Sequence, residues 1–141
     1  VICMLDGDDF YLPSKIEKSI EILNKYQEVG IVYSDYYMLH PTNKFVYEYK
    51  YAYSQEVFNQ ICCISTNQVV RKEVFSTVGL YKENWKGPED YDIWGRSLRA
   101  GWMAYHIPEP LFSYRIHGKN VTLTTTQDII NAEKEMKTLW R

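Results

Sequence analysis

Three carboxylates fall within four residues, Asp6, Asp8 and Asp9, directly after the apolar run Val1-Ile2-Cys3-Met4-Leu5. Acids just past the carboxyl end of a buried strand stand where open α/β sheets place their ligands. Hard oxygen donors in such a cluster suit Mg2+ or Mn2+, ions that bridge to phosphate oxygens. Aspartates also sit at strand-to-helix turns for capping alone. Both readings fit the spacing. A second acidic group, Glu89-Asp90-Tyr91-Asp92, opens a helical pattern after Gly87-Pro88. On residue type alone, complementing the positive end of the helix dipole accounts for these acids. The third group is Tyr114-Arg115-Ile116-His117, whose lone histidine reads first as a structural or exposed residue.

Two other uses of the first cluster fail on spacing. A haloacid-dehalogenase-type phosphatase wants Asp-x-Asp-Gly-Thr, and here Asp8 is followed by Asp9 and Phe10. A calcium loop of the EF-hand type wants oxygen ligands at its odd positions and a glycine at the sixth. Counted from Asp6, those places bring Phe10 and Tyr11.

The elements that must position these groups belong to one domain of 141 residues. With 45% hydrophobic, 24% charged and 16% aromatic residues the chain is neither disordered, collagenous nor a coiled coil. Its net charge of −2 argues against nucleic acid as a partner. No apolar run approaches the roughly 18 residues of a membrane span. Three cysteines, two of them the neighbours Cys62 and Cys63, form neither a disulfide framework nor a metal-ligand pattern, which suits a reducing compartment. The opening run reads as a strand buried on both faces, too short for a signal-peptide core. A start on such a strand reads as a piece of a longer chain.

Pro13 and Ser14 then suit the first turn of a helix whose stripe Ile16, Ile20 and Leu23 runs to about Glu28, with Gly30 as its cap. Residues 31–38 read as the next strand, so strand, helix and strand make a βαβ unit with a parallel pair. Phe45, Tyr47, Tyr49 and Tyr51 alternate with polar or aliphatic residues, a strand whose tyrosines read as sheet packing. Further strands are expected over 61–70, 103–107 and 111–116, and helices over 71–77, from Pro88 to Gly101 and over 128–140. A Thr-rich loop is expected over 118–126.

In this order the pieces resemble the family 2 glycosyltransferases. Leu5-Asp6-Gly7-Asp8-Asp9, then Leu12-Pro13-Ser14-Lys15-Ile16-Glu17, is similar to that family's Asp-x-Asp segment. Val29-Gly30-Ile31-Val32-Tyr33-Ser34 follows in place. Val70-Arg71-Lys72-Glu73-Val74-Phe75 with Val78-Gly79-Leu80-Tyr81 resembles its next motif, although Leu80 and Lys82 stand where Phe and Asp are usual. Glu89-Asp90-Tyr91-Asp92-Ile93-Trp94-Gly95-Arg96 resembles its second acidic motif, with Gly101-Trp102 behind it. Ile107-Pro108-Glu109-Pro110-Leu111 and Tyr114-Arg115-Ile116-His117 match the close. The resemblance covers almost all of residues 1–117.

It implies an α/β fold, a mixed and mainly parallel sheet flanked by helices, as a partial GT-A fold. Residues 1–38 would form the Asp-x-Asp βαβ unit, 39–117 the acceptor and catalytic portion, and 118–141 a C-terminal helix. It further implies a nucleotide-sugar donor, most often UDP-linked, and a saccharide or lipid-linked acceptor. Asp8, Asp9 and His117 are the implied metal or diphosphate ligands for Mn2+ or Mg2+, and Asp6 contacts ribose or metal. Asp90 is the implied general base, with Glu89, Arg96 and Trp85 as substrate contacts and Trp94 and Trp102 as core. One displacement would invert the anomeric centre. The family's chain has upstream βαβ units that hold the nucleotide, so this portion is expected to lack most of the donor pocket. A cytoplasmic setting is implied, with peripheral association at the inner membrane face through the full-length protein. Two rival readings are a non-catalytic carbohydrate- or partner-binding module and a nucleotidyltransferase. Asn120-Val121-Thr122 has the form of a glycosylation sequon, for which no secretory signal is seen.

Overall fold

The computed structural model describes residues 1–85, 88–120 and 127–139. Six strands form one sheet in the order β1-β5-β3-β6-β2, with β4 paired to β3 beside β5. They are β1 (Ile2–Cys3), β2 (Phe10–Tyr11), β3 (Val29–Leu39), β4 (Phe45–Glu48), β5 (Val69–Val70) and β6 (Met103–Arg115). The helices are α1 (Lys15–Lys25), α2 (Gln55–Gln60), α3 (Lys72–Val78), α4 (Glu89–Arg99) and α5 (Gln127–Leu139). Among the described residues no helix is long and apolar enough to cross a membrane.

The mixed α/β class is as expected, but the balance of the sheet differs. β3 and β6 run parallel through the centre. The other pairings are antiparallel. The expected parallel pair β1–β3 is also modified. Both run antiparallel to β5, which lies between them, so they share a direction without touching. This leaves β1 at an edge of the sheet, with Val1, Ile2 and Leu5 exposed and not buried on both faces.

β3 is the spine. Its residues 29–35 are all buried, and its side chains are shared between two cores, with an irregularity between Val29 and Ile31. Ile31 and Tyr33 join α3, α4 and α5 through Val74, Ile93, Trp94 and Met136. Val29 and Val32 join Leu23 of α1, Val69, Ile107 and Leu111. Proline at 108 and 110 does not split β6 into two strands as expected. It stays continuous, with its pairing to β3 shifted on either side of Asp35.

Helix α1 is rotated from its expected face. It buries Lys15, Ser19 and Leu23, while Ile20 is exposed. The Lys15 ammonium donates to Ser34 Oγ at 3.0 Å, and its burial pushes its pKa down to about 8. Ser14 takes a left-handed conformation and makes no side-chain cap. At the other end Arg71 acts as the cap, donating to Leu23 O at 2.5 Å and Val29 O at 3.2 Å.

The segment 61–68 is irregular where a strand is expected, and only Val69–Val70 pairs. α2, begun by Ser54 Oγ accepting from Val57 N–H at 3.1 Å, carries too few residues for a visible stripe. The aromatic strand stops at Glu48. Tyr49 and Tyr51 are exposed, and Tyr47, Tyr37 and Phe45 pack on one another. Most of the expected 118–126 loop, with Val121 and Thr122, lies outside the described residues, as does Gly87. Asn120 itself is buried, its amide donating to Arg115 O and accepting from His117 N–H, so its side chain is turned away from solvent.

Gly30 is not a helix cap. It lies within β3, and a Cβ there would sit 2.6 Å from Val74 Cγ2 and 2.9 Å from Trp102 Cε3. Gly30→Ala is therefore expected to cost about 1–3 kcal/mol through overpacking. Thermal melting checks this, and an unchanged midpoint would contradict the close approach of α3 and Trp102 to the spine.

Candidate active site

The Asp turn connects β1 at one edge of the sheet to β2 at the other, so it spans the end of the sheet. Two groups from distant segments hold it there. Asn67 Oδ1 accepts from Asp6 N–H at 2.8 Å, and its amide donates to Asp9 Oδ2 at 2.7 Å. Arg115, at the end of β6, donates its backbone N–H to Asp9 Oδ1 and its Nε–H to Asp8 O, both at 2.9 Å. Asn67 is 2% exposed and has φ 58°, a left-handed conformation that asparagine tolerates better than most residues. Sequence reasoning missed it. Its signal was local, an asparagine just before a strand, and nothing local ties it to an acid 58 residues earlier.

Above this turn opens a cleft of about 610 Å³. Asp6 and Asp8 of the turn line it together with Glu89 and Asp90 at the start of α4 and with His117 and Lys119 beyond the end of β6. The first two groups of acids, far apart in the chain, thus meet at one site. Asp6 is pushed up by burial first, then by Asp8 and Glu89. Asp90 is pushed up to about 6, again by burial first, with Glu89 and Asp6 adding to it. The Tyr81 hydroxyl donates to Asp90 Oδ1 at 3.0 Å and opposes that rise.

Three of the expected site residues do other work. Asp9 lies outside the cleft lining, with each carboxylate oxygen accepting from the protein, so it braces the turn. Burial still pushes its pKa up. Arg96 donates to Asp92 Oδ2 at 2.9 Å, to Val78 O, and to Leu80 O at 3.0 Å, tying the end of α3 to α4. Trp85 is no exposed acceptor contact. It is buried in the core cluster that also holds Trp94, and its indole N–H has no partner among the described residues. In each case an amphipathic or charged side chain is consumed by packing that local sequence does not reveal.

His117 is brought to the cleft, but in a particular state. Its Nδ1 accepts from Lys119 N–H at 3.2 Å, which places the proton of a neutral ring on Nε2. That nitrogen lies 2.6 Å from Asp8 Oδ2 and donates to it. As arranged, His117 orients Asp8, and ligating an ion through Nε2 would require giving up that bond.

Comparison with known sequences places the chain in a family. A sequence model described as glycosyltransferase like family 2 matches residues 1–127. The chain belongs to glycosyltransferase-like family 2. It is 31% identical over 146 residues to an uncharacterized glycosyltransferase of Rickettsia typhi, covering 96% of this chain and 44% of that protein. It is 22% identical over 147 residues to one from Methanocaldococcus jannaschii, covering 99% of this chain and 50% of the relative. One from Haemophilus influenzae is 24% identical over 141 residues, covering 94% of this chain and 47% of the relative. This family 2 chain therefore spans about half the length of the curated relatives it matches.

Loss of the clamp should be felt at both ends of the turn. Asn67→Ala removes two hydrogen bonds, one to a carboxylate, and forces alanine into a left-handed φ, for an expected cost of about 2–4 kcal/mol. Asn67→Gly relieves the backbone and should recover part of it. Urea unfolding of the pair checks this, and equal stability of parent and Asn67→Ala would contradict the clamp.

Proposed function

We propose that this chain provides the reacting centre of an inverting, metal-dependent glycosyltransferase. It would move a sugar from a nucleotide-diphosphate donor, UDP-linked in our reading, to a hydroxyl of a saccharide or lipid-linked acceptor. The observation that carries this reading is that Asp8 and Asp90, from segments far apart in the chain, line one cleft. The two acids stand in different environments, and those environments suit different tasks.

The donor side is the Asp turn. Among the described residues no three His, Cys, Asp or Glu side chains stand close enough to hold a metal by themselves. An ion that arrives with a diphosphate needs only one or two carboxylates from the protein, which Asp8 and Asp6 supply. Burial raises the Asp6 pKa first, and the further rise from Asp8 and Glu89 marks a local excess of negative charge that a divalent cation would relieve. When bound, such an ion neutralises charge growing on the departing diphosphate. His117 keeps Asp8 in place and presents its Nε2 proton beside the same point.

The acceptor side is Asp90. A base working near neutral pH gains from a pKa close to that range, and burial brings Asp90 to about 6. Tyr81 fixes the carboxylate through Oδ1. Asp90 takes the proton of the acceptor hydroxyl as its oxygen bonds to the anomeric carbon. The bond from that carbon to the diphosphate oxygen breaks on the opposite side, with its electron pair, and the anomeric configuration inverts. Released nucleoside diphosphate is the expected product, where a nucleotidyltransferase would release pyrophosphate.

The pH dependence has a defined sign. The folded-state pKa of Asp90, about 6, lies above the ordinary 3.8, so the unfolded chain ionises first and the native state loses stability as pH rises from about 4 to about 6, with no further loss above that. Asp90→Asn should therefore melt higher than the parent at pH 8 and no higher at pH 4, with the gap opening between about pH 4 and pH 6 and constant above. Turnover should behave oppositely. In the parent it rises through about pH 6 as the base ionises, and in Asp90→Asn it falls by about 100-fold or more with UDP affinity retained. Normal turnover in the variant would reduce Asp90 to a helix-end acid and defeat the proposal.

A further inference from the structure

A second cavity, of about 300 Å³, lies against the cleft. Thr66, Asp90 and Tyr114 line both, so Asp90 stands in the partition between the two. Displacement in line requires the incoming hydroxyl and the departing diphosphate on opposite sides of the reacting carbon. With the diphosphate at the Asp turn, the hydroxyl must approach Asp90 from the other side, and the second cavity lies against that same acid.

Its lining is mostly apolar and aromatic, including Tyr36, Met38 and Ile64, with Lys50 and Glu133 as charged groups besides Asp90. No ion pair among the described residues uses the Lys50 ammonium or the Glu133 carboxylate. Lys50 is nonetheless held in place. Its backbone N–H donates at 2.8 Å to Asp35 Oδ1, a carboxylate 1% exposed, which also meets His106 Nε2 at 2.8 Å and accepts from the Tyr47 hydroxyl at 2.9 Å. Apolar walls with a few fixed polar groups recognise a ligand that has both kinds of surface. A sugar ring has them, with C–H faces for the walls and hydroxyls for the charges. The charge count narrows the choice. One ammonium faces two carboxylates, so an acidic or phosphorylated ring would add to an existing excess of negative charge at low dielectric.

We propose that the second cavity is the acceptor subsite and takes a neutral sugar ring, with Lys50 and Glu133 as its specificity-determining side chains. This rests on the reading of the cleft as the transfer site. The ammonium donates to, and the carboxylate accepts from, ring hydroxyls, and the hydroxyl left pointing at the partition is the one Asp90 deprotonates.

The test is ligand-detected NMR titration of the full-length protein, with UDP and Mn2+ present, using methyl glycosides of glucose, galactose, mannose and N-acetylglucosamine. Methyl glucuronide and glucose 1-phosphate serve as the acidic and phosphorylated probes. At least one neutral glycoside should bind more tightly than either charged probe. Lys50→Met and Glu133→Gln should each weaken it by about tenfold, the loss of a charged hydrogen bond. Lys50→Arg should restore part of the affinity, and UDP affinity should stay the same in every variant. Tighter binding of a charged probe, no binding by any neutral glycoside, or unchanged affinity in both variants would overturn the proposal. Failure of the parent to bind UDP would instead count against the donor reading of the cleft, while the glycoside titration still reports on the second cavity.

Discussion

Like charges brought together in a shielded cleft repel, and this fold holds Asp6, Asp8, Glu89 and Asp90 around one space. Hydrogen bonds hold the backbone of Asp6 and the carboxylates of Asp8 and Asp90 in that arrangement. The Asp turn is held by Asn67 and Arg115 through backbone groups and through Asp9, the one acid of the turn given over to structure. Asp8 is paired with His117 and Asp90 with Tyr81. Helix α4 sets its acids at its own positive end, which offsets part of their repulsion.

The anchors depend in turn on the sheet. β5, only two residues long, sits between β1 and β3 and so fixes both the origin of the Asp turn and the segment that delivers Asn67. β6 runs alongside β3 for its whole length and delivers Arg115 and His117 at its far end. The absence of a Cβ at Gly30 lets Val74 of α3 and Trp102 pack close on the spine, and Arg96 then ties α3 to α4. The cleft is therefore the common end of several long-range contacts, each made by a segment with a separate place in the chain.

This explains what could be read in advance. Helices α1 and α4 and strand β3 follow from hydrophobic spacing, because that signal is local. The two acidic motifs were also legible, as was their order. What local pattern could not show was which groups each motif would meet. Nothing near Asn67 points to Asp6, and nothing near Trp85 distinguishes a core indole from a sugar platform. Arg96 reads as a substrate contact until the carbonyls of Val78 and Leu80 appear beside it. Helix α1 presents an isoleucine stripe, yet the structure buries Lys15 because Ser34 is within its reach. β1 escaped a correct pairing for a similar reason, since its neighbour β5 lies far along the sequence.

In the proposed reaction labour is divided between Asp8, which would meet the donor diphosphate through a metal, and Asp90, which would meet the acceptor hydroxyl. Calorimetric titration of UDP into the full-length protein, with and without Mn2+, tests the first half directly when repeated on Asp8→Asn. The account predicts binding that requires both the metal and Asp8. Binding of equal strength without Mn2+, or unchanged in Asp8→Asn, would contradict it.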